Sequence, residues 1–184
     1  MFSESDKTTL LQIASQSIAH GLHTSMPMEI DVTKFDEPLR LHRATFVTLH
    51  RMGPLRGCIG RLDASRPLVA DVAFNAFAAA FQDPRFTPLT AREVEGLDLH
   101  ISVLTTPQRM TFTDEADLLR QLRPGIDGLI LESGPHRGTF LPAVWADLPD
   151  PTQFLQHLKL KAGLSPDHWS PNIRIQRYTA ESVP

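Results

Sequence analysis

The chain has 184 residues, 41% of them hydrophobic, and a formal net charge of −3, which leaves no global electrostatic case for binding nucleic acid or an anionic membrane. That length buries a core in one large domain or in two small lobes. Its single cysteine, Cys58, excludes an internal disulfide and a cysteine-based zinc cluster, and with no basic-then-apolar leader visible the expected compartment is the cytoplasm.

Asp6 to His20 reads as a first helix, capped by Ser5 or Asp6 and stopped by Gly21. Residues 24–42 read as a connection carrying prolines and acids. Arg43 to Arg51 is rich in β-formers, Met52-Gly53-Pro54 is a turn, and Leu55 to Leu62 returns as a partner strand. Cys58 therefore lies inside a hairpin strand or at a bulge in it. Pro67 opens a helix to about Gln82, with Val69, Val72, Ala73, Ala76, Phe77 and Ala80 as its apolar stripe. Asp71, Asn75 and Gln82 fall on the other side, and Asp83-Pro84 ends the helix.

Thr90 and Glu93 have capping-box spacing and start a short helix. Leu99, Ile101 and Val103 alternate with polar neighbours, as in a half-buried strand. Asp114 to Leu122 is a short helix, and Gly128 to Glu132 with Arg137 to Leu141 forms a second hairpin. Asp150 caps a helix that ends at Gly163, and Ile173 to Thr179 is the last strand. Hairpins joined by tight turns argue for antiparallel pairing, hence an α+β fold rather than a doubly wound parallel sheet, with room for two lobes because the middle and the ends each supply strands and helices.

Chemistry concentrates in two segments. Leu55-Arg56-Gly57-Cys58-Ile59-Gly60 sets the thiol between glycines that permit a turn or a close backbone approach. A nearby arginine favours a thiolate and a histidine base would favour it more, but buried structural cysteines are commoner than reactive ones. His42, His50, His100 and His136 all flank strands, and the sequence does not say whether any reaches the sulfur.

Asp83-Pro84-Arg85-Phe86-Thr87-Pro88-Leu89 is a loop stiffened by two prolines, in which Asp83 and Arg85 either bind a polar ligand or form a plain turn with Phe86 as anchor. Asn75 either faces solvent or bonds backbone near Cys58. Capping accounts for Glu93. Ser102 and His100 share a strand face but sit too far apart to form a nucleophile–base pair, and no nucleophile elbow is present. Neither metal-ligand spacing nor a glycine-rich phosphate loop occurs, so no metal or cofactor is expected.

LRGCIG at 55–60, NAFAAAFQDPRFTPL at 75–89, ISVLT at 101–105, DGLIL at 127–131, RGTFLPAVW at 137–145 and FLQHLKLKAGL at 154–164 together resemble the AMMECR family, whose prokaryotic members are called AmmeMemoRadiSam system protein A. The resemblance runs from about residue 5 to residue 179. It implies one domain over residues 5–180, made of two unequal α+β subdomains. It also implies genomic association with a Memo-like protein and a radical S-adenosylmethionine protein, which are therefore the expected partners.

The family's motif falls here on Arg56, Gly57, Cys58, Gly60, Asn75, Asp83, Arg85, Phe86, Ser102, Phe140, Pro142 and Lys161, none with an established catalytic role. Where the family often has glutamine after FLP, this chain has Ala143. Two expectations follow. One is an enzyme or accessory subunit of a modification pathway, with Cys58 as candidate nucleophile in a cleft and Arg56, Asn75, Asp83 and Arg85 binding substrate. The other is a non-catalytic module that holds a partner protein or small ligand in the same groove.

Overall fold

The computed structural model describes residues 1–184, which form two compact units: Met1–Leu104 with Glu181–Pro184, and Thr105–Ala180. The fold is α+β, with two four-stranded sheets. No helix is long and apolar enough to cross a membrane.

In the first unit, α1 (Glu4–Thr24) begins at Ser3, whose hydroxyl and the Asp6 carboxylate cap each other's backbone. The helix runs through Gly21 instead of stopping there. A Cβ at Gly21 would overlap the rings of Phe77 and Phe81 on α2 (Leu68–Phe81), so the glycine serves close helix packing. The turn to the left-handed conformation comes at Ser25, with φ of 58°.

Helix α2 lies on β1 (Thr45–Arg51) and β2 (Leu55–Gly60) and is covered outside by α1. Covered on both sides, it has little room for a polar face. Asp71 and Asn75, expected opposite the apolar stripe, are both wholly buried. They form a polar cluster with the start of β1, in which Asp71 Oδ1 and Asn75 Oδ1 accept no hydrogen bond and Arg66 lies 3.6 Å from the former. Thr45 donates its N–H and its hydroxyl to Asp71 Oδ2 at 3.0 and 2.7 Å, and Asn75 Nδ2 donates to Asp71 Oδ2 at 3.0 Å and to the Thr45 carbonyl at 3.1 Å. Burial raises the Asp71 pKa.

The sheet order is β2-β1-β3-β8, with β3 spanning Leu97–Leu104 and β8 spanning Ala180–Val183. Strands β2, β1 and β3 are antiparallel. Val47, Leu49, Ile101 and Val103 point to the helices and form the core with Leu10, Ile13, Leu68 and Val72.

The second unit contains β4 (Gln108–Arg109), α3 (Glu115–Gln121), β5 (Gly128–Ser133), β6 (His136–Phe140), α4 (Pro151–Lys161) and β7 (Arg174–Tyr178), with sheet order β4-β7-β5-β6. The Trp145 ring stacks on Phe154 at 3.7 Å, and Phe140 meets Phe154 edge-on at 5.2 Å. Lys159 is wholly buried and donates to Glu115 at 2.7 Å. The expected last strand is β7, which stays in this unit, whereas the unexpected β8 crosses to complete the first sheet.

Candidate functional site

Strand β2 is an edge, so one row of its peptide groups has no strand partner. At Cys58 that row is met by the proline-stiffened loop. The Cys58 N–H donates to Asp83 Oδ2 at 2.9 Å, and Arg85 Nη2 donates to the Cys58 carbonyl at 3.3 Å. The two loop residues lock each other, with Arg85 Nη2 donating to Asp83 Oδ2 at 2.7 Å and Arg85 Nε to Asp83 Oδ1 at 3.0 Å. An ion pair thus does the work of a neighbouring strand. The Asp83 side chain is 2% exposed and that of Arg85 is 55% exposed. The Arg85 hydrogen bonds, outweighing the cost of burial, hold the Asp83 carboxyl well below the usual carboxylate range.

Because the Cys58 peptide groups point outward, its pairing with Thr48 on β1 is of the kind that brings side chains closest. Cys58 is half-buried, and its sulfur lies 3.2 Å from Thr48 Oγ1. No bulge falls at Cys58; the register shifts at Leu49/His50 instead. Gly57 faces the opposite way, where a Cβ would overlap the Ala79 carbonyl oxygen of α2. Gly60 ends the strand against Phe46 and the Thr45 carbonyl.

Arg56 clamps the far end of the loop. Its Nε and Nη2 donate to the two Glu93 carboxylate oxygens at 2.9 and 3.2 Å, and Nη2 also reaches the Thr87 carbonyl at 3.0 Å. Glu93 closes the capping box with Thr90 as well, and the Arg56 hydrogen bonds take its pKa down to about 2. Phe86 is half-buried rather than a core anchor. The Arg56 and Arg85 guanidinium carbons lie 5.8 and 5.5 Å from its ring centre.

Arg56, Cys58, Asp83 and Arg85 therefore converge. Asn75 does not join them, since its partners are Thr45 and Asp71 in the core. His100 lies in the same cross-strand row as Cys58 and Thr48. Two strand spacings put it about 10 Å from the cysteine, and its Nε2 meets Ser182 Oγ at 2.7 Å. Burial and the nearby His50 lower its pKa. Ser102 is half-buried on that same face of β3, opposite Phe46.

In the second unit, Pro142 opens a 3₁₀ helix (Pro142–Ala146) on which Ala143 is exposed, and Lys161 Nζ sits 5.1 Å from the Phe140 ring centre. No group of three or more histidines, cysteines or acids is arranged to hold a metal. The arrangement at Cys58 can fix a peptide rigidly and present a thiol beside a solvent-facing guanidinium.

Sequence and structure comparisons agree on what this architecture is. The AMMECR1 family model matches residues 11–183. The chain belongs to the AMMECR1 family. A Methanothermobacter thermautotrophicus member is 36% identical, over 97% of this chain and 94% of its own length. A Saccharolobus solfataricus member is 37% identical over 92% of this chain and 77% of its own length. The crystal structure of an uncharacterised Pyrococcus horikoshii protein superimposes with a TM-score of 0.83 at 35% identity, covering 95% of this chain and 88% of that one.

Proposed function

We propose that this AMMECR1-family chain is an accessory, partner-holding subunit of a modification pathway that includes Memo-like and radical S-adenosylmethionine proteins, and that it works through the β2 edge around Cys58. The observation that carries this reading is the double clamp of Asp83 and Arg85 on the Cys58 peptide. A base beside the sulfur would activate it as a nucleophile, but its one hydrogen-bond partner is the Thr48 hydroxyl, and the Arg85 guanidinium is spent on Asp83 and the Cys58 carbonyl. Rigidity without a base suits recognition better than bond making. The exposed side of Arg85 leaves Nη1, the one guanidinium nitrogen that donates to neither Asp83 nor Cys58, for a partner's carboxylate.

The test uses the purified Memo-like and radical proteins of the same organism. Arg85→Ala is expected to weaken their capture by about tenfold, the scale of one lost charge-assisted contact, while Cys58→Ser captures them normally. A second reading, Cys58 as catalytic thiol, is favoured by the partial exposure of the residue. It requires rapid alkylation by iodoacetamide and complete loss of pathway product in Cys58→Ser. Undiminished capture by Arg85→Ala together with that loss would replace the first reading with the second.

A further inference from the structure

The second unit carries a charge imbalance that lies outside the Cys58 edge. Residues directly opposite one another on neighbouring strands share a sheet face, as do residues two apart along one strand. Glu132 on β5 stands opposite Arg174 on β7 and opposite Arg137 on β6. Arg109 on β4 stands opposite Gln176, two residues from Arg174. Arg109, Arg137, Arg174 and Glu132 therefore occupy one face, away from the core side of Leu129, Leu131 and Ile175. Three guanidiniums share that face with one carboxylate.

The pairing is uneven as well. Arg120, Arg123 and Arg177 each have an aspartate partner, and Arg137 holds Glu132 at 3.2 Å. Arg109 and Arg174 take part in none of these ion pairs. Both line a cavity of about 410 Å³ that is shared with Glu132, Gly134 and Asn172. That volume falls in the range of small-molecule sites, about 300–1,000 Å³.

We propose that this cavity binds a small organic phosphate. Two unneutralised guanidinium forks match a dianionic oxyanion in charge and in planar donor geometry. Asn172 and the Arg137-held Glu132 supply a donor and an acceptor for the body of the molecule. The site is contained in one unit and does not depend on any role for Cys58.

The experiment is a titration of the full chain with inorganic phosphate at constant ionic strength, followed by amide NMR. Saturable shifts are expected around residues 108–110, 132–134 and 172–174. Arg109→Gln and Arg174→Gln should each raise the Kd by about tenfold, as expected for losing one charge-assisted pair. Arg109→Lys, which keeps the charge without the fork, gives a second variant should the glutamine forms fold poorly. The proposal fails if shifts do not saturate, if they map elsewhere, if acetate binds as tightly as phosphate, or if the variants bind like the parent chain.

Discussion

Asp83 is the residue on which the β2 edge depends. Its carboxylate accepts from the Cys58 N–H and from Arg85, and it does so while almost wholly buried. Asp83→Asn keeps the size and removes the charge. The new amide group turns an N–H donor toward the Cys58 or Arg85 donors, and a buried polar group left unpaired in this way costs about 1–3 kcal/mol. Urea denaturation should read that loss, and a midpoint equal to the parent's would show that the clamp contributes nothing. The motif residues Arg56, Cys58, Asp83 and Arg85 were legible because two short, distinctive segments contain them. Thr48 was not legible, since its place beside the sulfur follows from strand register, which one sequence does not encode locally. Asn75 reads either as surface or as a backbone-bonding residue near Cys58, because its helix shows polar residues at helical spacing, but Asp71 and Asn75 bond each other and Thr45 inside the fold.

At the scale of elements, the spacing between β2 and α2 is set by Gly57. The Ala79 carbonyl occupies the space a Cβ would need, and backbone cannot step aside as a side chain can. Gly57→Ala should destabilise by about 1–3 kcal/mol, the usual cost of overpacking, as measured by thermal or urea unfolding. An unchanged midpoint would mean that the strand and helix can separate freely. Most helices and both hairpins were readable from periodicity and caps, as with Asp150 before α4 and Thr90 with Glu93. Gly21 misled because a glycine within a helix resembles a glycine that ends one. Strands β4 and β8 carry two and four residues, too few for alternation to register.

For the whole molecule, acid sensitivity follows from the carboxylates. Asp83 and Glu93 titrate lower in the folded chain than unfolded, so each contributes stability that is complete above the ordinary carboxylate range, about 4. That contribution disappears as pH falls through the folded values, to about 2 for Glu93. Asp71, which burial raises, acts in the opposite sense. Melting temperatures measured from pH 5 to pH 2 should therefore fall more steeply for the parent than for the Asp83→Asn, Glu93→Gln double variant. Parallel curves would remove both carboxylates from the acid response.

The strand order has a consequence for synthesis. Strand β8 follows the entire second unit in the chain yet completes the sheet of the first. A nascent chain from which residues 1–104 have emerged but β8 has not therefore carries a first unit whose β3 border is still open. Unsatisfied strand borders are templates for aggregation, so chaperone demand should peak during that interval of translation.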